Sequence, residues 1–454
     1  MRLLSLACAL ALGLSSVAAP AAPPAPATTV AGSEAIVSKT LANGLEIIVW
    51  PDHDIPNANY YTFYKVGSRN EYPGITGLAH YFEHMMFNGT TNRAPGEFDR
   101  QMEAAGGSNN ASTSNDLTIY TDWFPSSALE TIFDLEGDRM ANLAFDPKVV
   151  ESERGVVYSE RRSSVDNDNF GTLMEQMQAT AFTAHPYQFP TIGWPSDIEG
   201  WKLEDLKKFF RTYYAPNNAV LVVAGDVEPA QVFALADKYL ATLPKQPTPT
   251  PVTTVEPEQQ GERRIVVERA NAQSPIVAYA FHSGIGAGST DFPALELLAT
   301  ILSQGQSSRL HQRLVEKEQA AVQAGAFAEG GFDPGLLWVY AMLPPGGDMA
   351  KVEMLLDEEL AKLARDGVTA AELDKARNLK ASAFWRGMAT INGKARALGT
   401  YEVFNGDHRK LFDAPAAFDA VTAADVQALA KKILRVQNRT TGLLKPVAAM
   451  EAAK

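Results

Sequence analysis

Apolar positions along this chain follow two periods, and the switches between them lay out its elements. Ala35 to Trp50 reads as two strand-like runs joined at Asn43-Gly44, a dipeptide suited to a tight hairpin turn. Tyr60 to Val66 is a further strand candidate. The period then turns helical: Leu78, Phe82 and Met85 or Met86 form an apolar stripe, with Thr76 placed to cap it and Asn88-Gly89 to stop it. Phe98 to Ala105 reads as a helix ended by Gly106-Gly107, and the small, Thr-rich run from Ser108 becomes strand-like towards Tyr120. Ser126 to Leu143 is helical, and Asp146-Pro147, a cap followed by a first-turn proline, opens another helix that runs through Arg162. A Gln- and Met-containing helix and a loop from His185 to Gly193 follow. A helix over Leu203 to Tyr214, an apolar strand over Asn218 to Ala224 and a helix over Glu228 to Leu240 complete this half.

The segment from Pro244 to Pro251 is proline-dense and lacks aromatics, which marks it as a linker. Beyond it the pattern restarts with strands at Ile265 to Glu268 and Ile276 to Phe281. Helices are expected near Ala294 to Leu302, Met349 to Arg365, Ala370 to Thr390 and Ala423 to Ile433. The order resembles that of the first half without its histidine pair, so the chain reads as a diverged duplicate. The expected domains are residues 30–243 and 263–447, joined by 244–262. Length agrees, because 454 residues exceed one ordinary core.

Composition adds little to this. A hydrophobic content of 46% and a charged content of 20% describe a soluble globular chain, and a net charge of -13 argues against nucleic acid as a partner. Arg2, the apolar run from Leu3 to about Val17, and Ser16-Val17-Ala18-Ala19 read as a cleaved secretory signal, with an Ala- and Pro-rich leader to residue 29. That run is too short to span a bilayer, and no other segment is long and apolar enough for a membrane span. The single cysteine, Cys8, lies inside the signal and too early for a lipid anchor, so the mature chain has no disulfide or thiolate chemistry. A periplasmic or secreted location is expected.

The candidate chemistry lies on the helix after Gly77. His80 and His84 are four residues apart and Glu83 is three from His80, so all three project from one helical face. Two such imidazoles chelate a transition metal, most often zinc, and the carboxylate beside them can take the proton of a metal-bound water. The order H-x-x-E-H inverts the commoner zinc-peptidase motif and is the inverzincin signature. Two of only seven histidines fall here, which lifts the motif above a chance match. A third ligand has to come from elsewhere. Glu153 and Glu160, two turns apart, share a face of their helix and Glu151 does not, although surface glutamates explain such spacing equally well.

The chain resembles the pitrilysin family, which includes insulin-degrading enzyme and the mitochondrial processing peptidase, and is similar to its bacterial members of about this length. The matching segments are Asn43-Gly44-Leu45, Gly77 through Thr90, Gly106-Gly107 through Ser114, and Glu153 through Glu160. His185-Pro186-Tyr187 with Ile192-Gly193, and Tyr213 through Asn218, match as well. The resemblance implies an α+β fold of two homologous domains, each an antiparallel sheet with helices packed on one face. It implies one zinc ion per chain, ligated by His80, His84 and Glu160, with Glu83 as general base and Glu153 as a supporting catalytic glutamate. Lowering the pKa of a bound water from about 15.7 to about 7 is worth ~12 kcal/mol, more than Glu83 alone could supply. Asn110 and Ala111 align with the family's edge strand, where an extended peptide substrate docks through its main chain with loose sequence preference. A turn role is the alternative for Asn110.

One departure matters. Gly305 through Leu310 matches the approach to an Arg and a Tyr that hold the substrate carbonyl in self-sufficient members, but those positions fall on Val315 and Val322. Neither valine can donate a hydrogen bond. The expectation is therefore a zinc endopeptidase that is the catalytic subunit of a heterodimer, a paralogous chain supplying the two donors. A homodimer is the alternative assembly, and a non-catalytic, partner-binding homologue is the alternative function. A metal carrier would be expected to show a His-rich tract, which is absent.

Overall fold

The computed structural model describes residues 30–447, so the signal-like stretch and Cys8 lie outside the described residues. The first sheet contains β1 (Val37–Thr40), β2 (Glu46–Pro51), β3 (Asn57–Tyr64), β4 (Ser108–Thr113), β5 (Thr118–Pro125) and β6 (Ala219–Gly225) in the order β1-β2-β6-β3-β5-β4. The second contains β7 (Arg263–Arg269), β8 (Ile276–His282), β9 (Gln323–Ala328), β10 (Leu336–Met342) and β11 (Arg439–Pro446) in the order β7-β11-β8-β10-β9. Before the linker stand α1 (Leu78–Met85), α2 (Glu97–Ala104), α3 (Leu129–Asn142), α4 (Pro147–Arg161), α5 (Asn169–Ala181), α6 (Pro195–Gly200), α7 (Leu203–Tyr213) and α8 (Pro229–Tyr239). After it come α9 (Phe292–Ser303), α10 (Met349–Asp366), α11 (Ala370–Met388), α12 (Ile391–Asn405), α13 (Ala414–Ala420) and α14 (Ala423–Ile433). Residues 244–262 contain neither helix nor strand. No helix among the described residues is long and apolar enough to cross a membrane.

The expected α+β architecture is present. The Asn43-Gly44 hairpin forms, with Gly44 at φ 91° and the Asn43 carboxamide oxygen accepting the Leu45 N–H at 3.2 Å. The sheets are antiparallel except for one pair each, β2 with β6 and β7 with β11. Both exceptions arise because the last strand of each half returns, after a helical excursion, into the sheet interior, where a crossover makes parallel pairing possible. β6 (Ala-Val-Leu-Val-Val-Ala-Gly) is buried at every position, as such an inserted strand requires.

Helices cover one face of each sheet within its own half, and the opposite face is covered by a helix from the other half. α12 crosses β3 and β6, burying Ile391, Ala395, Leu398 and Val403 among Ile48, Trp50, Phe63 and Val222. Reciprocally, α5 lies on β7, β8 and β11, burying Leu173, Met177 and Ala181 among Ala278, Ala280 and Trp338. Periodicity closes a single helix at Thr390 and leaves α12 unassigned. The structure instead ends α11 at Met388 and starts α12 behind Thr390, whose hydroxyl accepts the Gly393 N–H at 3.0 Å. Gly393, Gly399, Lys394 and Arg396 interrupt the apolar stripe that would have betrayed it. Gly399 is required by close approach, since a Cβ there would overlap the Phe63 ring.

A buried polar network also joins the halves. Arg69 donates to Asp116 at 3.1 Å and lies 2.8 Å from Asp333, and the Tyr187 hydroxyl donates to Asp116 at 2.8 Å. His185 Nε2 is 3.1 Å from Asp333, so the His185-Pro186-Tyr187 motif serves the junction between the halves.

Gly399→Ala should therefore overpack the α12–β3 contact and cost about 1–3 kcal/mol in guanidinium unfolding. Gly387→Ala on α11, where a Cβ meets nothing within 4 Å, should leave stability unchanged or raised.

Candidate active site

α1 carries the histidine pair, and its position is set from its first turn onwards. Thr76, expected as the cap, is engaged elsewhere: its hydroxyl donates to Asp197 at 2.7 Å and accepts the Trp194 N–H at 3.0 Å. The capping group is Glu71, whose buried carboxylate accepts the Gly77 N–H at 2.6 Å and the Ala79 N–H at 2.7 Å. Burial pushes this carboxyl well above the ordinary range, against the pull of its two donors. Gly77 adopts φ 89°, and a Cβ there would meet the Ile192 carbonyl at 2.6 Å. The two backbones touch at Gly77 and Gly193, which accounts for both glycine motifs.

Buried hydroxyls fix the rest of α1. Tyr120 on β5 donates to the Phe82 carbonyl at 2.8 Å and Tyr214 to the Ala79 carbonyl at 3.2 Å. Tyr81 donates to the Val150 carbonyl at 2.8 Å, which is in the first turn of α4. Asp146 caps α4 as expected, accepting the Lys148 N–H at 2.8 Å. Arg154 and Arg161 tie α4 to the carbonyls of Ile198, at 2.6 Å, and Gly193, at 2.7 Å.

The two helices bring His80, His84 and Glu160 together. Glu160 Oε2 lies 3.2 Å from His84 Nε2 and 3.5 Å from His80 Nε2. Two donor atoms each about 2.1 Å from a tetrahedral zinc ion are about 3.4 Å apart, so this donor set fits such an ion in both chemistry and spacing. Burial, with His84 beside it, holds His80 down to about 3, so the ring is neutral and its lone pair available. Its Nδ1 is buried without a hydrogen-bond partner. Burial also depresses the His84 imidazolium, but the neighbouring Glu153 outweighs it and the group sits above its ordinary value. Glu153 Oε1 is 2.8 Å from His84 Nδ1, an arrangement that leaves Nε2 facing Glu160 and able to take a metal. Glu151 points away to Arg154, with its side chain 73% exposed.

Glu83 is not one of this trio of donors, though His84 and Glu160 both act on its charge. Burial raises its carboxyl, partly countered by a hydrogen bond from Thr113 Oγ1 to Glu83 Oε2 at 2.6 Å. Sequence spacing does not single out Thr113; its only signal is membership in the run Asn110-Ala111-Ser112-Thr113-Ser114. Asn110 and Ala111 lie in β4 at the sheet edge, so Asn110 is a strand residue and not a turn residue. Val315 and Val322 lie between α9 and β9, Val322 with 62% of its surface exposed.

The description "Insulinase (Peptidase family M16)" matches residues 52–193, and "Peptidase M16 inactive domain" matches residues 200–380. The zinc protease PqqE of Helicobacter pylori is 34% identical over 416 residues, covering 90% of this chain and 92% of that protein. A crystal structure of a protease from Helicobacter pylori superposes with a TM-score of 0.87 at 32% identity, over 90% of this chain and 99% of that one. The periplasmic protease PqqL of Escherichia coli shares the fold at a TM-score of 0.76 and 19% identity, over 94% of this chain and 48% of that one.

Removing the Glu71 cap would leave two buried N–H groups without acceptors. Glu71→Ala should lower unfolding stability by about 2–5 kcal/mol, whereas Glu151→Ala should stay within about 0.5 kcal/mol in the same denaturant titration.

Proposed function

The chain belongs to the insulinase family, peptidase family M16, and we propose that it is a zinc-dependent endopeptidase acting on extended peptides or small unfolded proteins. The observation that carries this reading is the convergence of His80, His84 and Glu160 from two helices, with Glu83 beside them and outside the ligand set. His80, His84 and Glu160 would hold one zinc ion, and Glu153 would orient His84. Zinc held there would supply a polarised scissile carbonyl and a nucleophilic water at neutral pH. Glu83 takes the proton of the attacking water and returns it to the departing amine. A carboxyl raised by burial is suited to carrying that proton between the two steps.

Substrate would add as a further strand on β4 beside Asn110 and Ala111, held mainly by backbone hydrogen bonds. Such docking tolerates many sequences and requires an unfolded segment.

Val315 and Val322 leave this chain without the side-chain donors expected opposite the zinc site. The working unit is therefore a heterodimer whose second, paralogous chain supplies Arg and Tyr; a homodimer is the alternative. That this chain spans about half of PqqL supports a pair of chains of this length. Export through residues 1–29 to the periplasm fits the same comparison. A non-catalytic, partner-binding role is the second reading, favoured by the inactive-domain match over residues 200–380. The complete set of His80, Glu83, His84 and Glu160 weighs against it.

Glu83→Gln should retain one zinc per chain and lose nearly all cleavage, whereas His80→Ala and Glu160→Gln should lose the metal; metal analysis beside a peptide assay separates the two classes. Turnover near wild type in Glu83→Gln would remove the general base. The chain alone should cleave slowly and gain turnover when mixed with its paralogue, and full activity without a partner would end the heterodimer reading.

A further inference from the structure

We propose that Thr113 is a positioning residue that couples docking of the peptide backbone on β4 to the orientation of the Glu83 carboxylate. The inference rests on the reading above, with β4 as the docking strand and Glu83 as the proton carrier.

The register of β4 carries the inference. In an antiparallel pair, alternate residues turn their main-chain groups towards the partner strand, and those between turn them outwards. The Ser114 N–H bonds the Leu117 carbonyl at 2.8 Å, on the β5 side. The Ala111 N–H instead takes the Asn110 carboxamide oxygen at 2.9 Å, which places it at the free edge. Asn109, Ala111 and Thr113 therefore present their main chain to an incoming strand.

The side chains of these same residues face the helical layer. Asn109 donates to Asp99 on α2 at 3.0 Å, and Ala111 packs against the buried cluster that includes Met102 and Tyr120. Thr113 reaches Glu83 at 2.6 Å. Docking edge and proton carrier thus meet in one residue. A short bond to a charged acceptor selects one carboxylate rotamer out of several. The β-branch of Thr limits its own χ1, so the donor is already aimed. A strand paired to the outer edge further immobilises the Thr113 backbone and hence the hydroxyl that holds Glu83. Peptides too short to pair at Thr113 should bind, yet be cut slowly.

The test is Thr113→Val, which keeps shape and strand preference and removes the hydroxyl, beside Thr113→Ser, which keeps the hydroxyl. Cleavage of a labelled extended peptide is followed in single turnover with the full chain in excess, both alone and mixed with its paralogue. Affinity for that peptide is measured by anisotropy on metal-stripped chain, and zinc content is determined for each variant. Thr113→Val should cleave about 10- to 100-fold more slowly, bind the peptide within about twofold of wild type and retain its zinc. Thr113→Ser should recover to within about threefold. An unchanged rate in Thr113→Val, a loss confined to peptide affinity, or a loss of zinc would each overturn the proposal. Glu83→Gln run in parallel separates the levels: if it is inert beside an unimpaired Thr113→Val, only the role of Thr113 fails. If Glu83→Gln cleaves like wild type, the general-base reading fails.

Discussion

Everything at the candidate centre depends on the spacing between α1 and α4, and buried hydrogen bonds set that spacing independently of the ligand atoms. Tyr81 spans the two helices directly, Tyr120 and Tyr214 anchor α1 to the sheet and to the end of α7, and Arg154 and Arg161 tie α4 to the loop at Gly193 and to Ile198. Each such bond contributes only about 1 kcal/mol net, but an unpaired carbonyl in the same dry surroundings costs about 1–3 kcal/mol. Sliding one helix past the other would break several at once. A carboxylate oxygen and two imidazole nitrogens, none of which gains by being desolvated together, are thereby held at 3.2 Å and 3.5 Å by the protein itself. Glu160 reaches this cluster from a side chain that is 42% exposed, whereas His80 is buried, so the site is open on its acidic side and dry beneath.

The second half has no histidine pair, yet it belongs to the machinery through packing. α12 backs β3 and β6, and β3 pairs with β5, the strand that carries Tyr120 towards α1. α5, leaving the end of α4, covers the second sheet in return. Neither half closes its core alone: without α12, the ring face of Trp50 and Phe63 and the apolar face of β6 would meet water. At about 25 cal/mol per Å² of apolar surface, such exposure is costly enough that the two halves stand as one packed body.

Most of this fold was legible in the chain because amphipathic periods and turn residues are local signals. The Asn43-Gly44 hairpin, α1, the capped start of α4 and the placement of Glu153 and Glu160 on one face all follow from residues within a few positions of one another. What escaped prediction was tertiary in origin. α12 has its stripe broken by Gly399, which exists for the sake of Phe63 far away in sequence. Thr76 looked like a cap because Thr commonly is one, but Asp197, 121 residues on, engages its hydroxyl and Glu71 takes over the helix start. Thr113 gave no signal beyond its place in the Asn110–Ser114 run, because threonine in a strand is ordinary; only the fold places it against Glu83. The H-x-x-E-H run was visible in the chain, and the residues that hold it in place were not.

The sheet edges show the same division between ordinary and committed structure. β1 carries Lys39 and β7 carries Arg263, Arg264 and Arg269, the charged residues with which proteins usually protect an open edge from adding another strand. β4, Ser-Asn-Asn-Ala-Ser-Thr, has neither charge nor proline, and β9, Gln-Ala-Gly-Ala-Phe-Ala, is equally unguarded. An unprotected edge is a hazard that a stable fold tolerates more readily where the edge has a use. On β4 the Asn110 carboxamide satisfies the outward Ala111 N–H with a contact that an incoming backbone can replace at little cost, one hydrogen bond exchanged for another. The same strand ends at Thr113, whose hydroxyl donates to Glu83 on α1. Of these two unguarded edges, β4 combines a replaceable cover with the Glu83 carboxylate beside its end, and on the proposed reading that combination is what suits the first sheet, and not the second, to a peptide substrate.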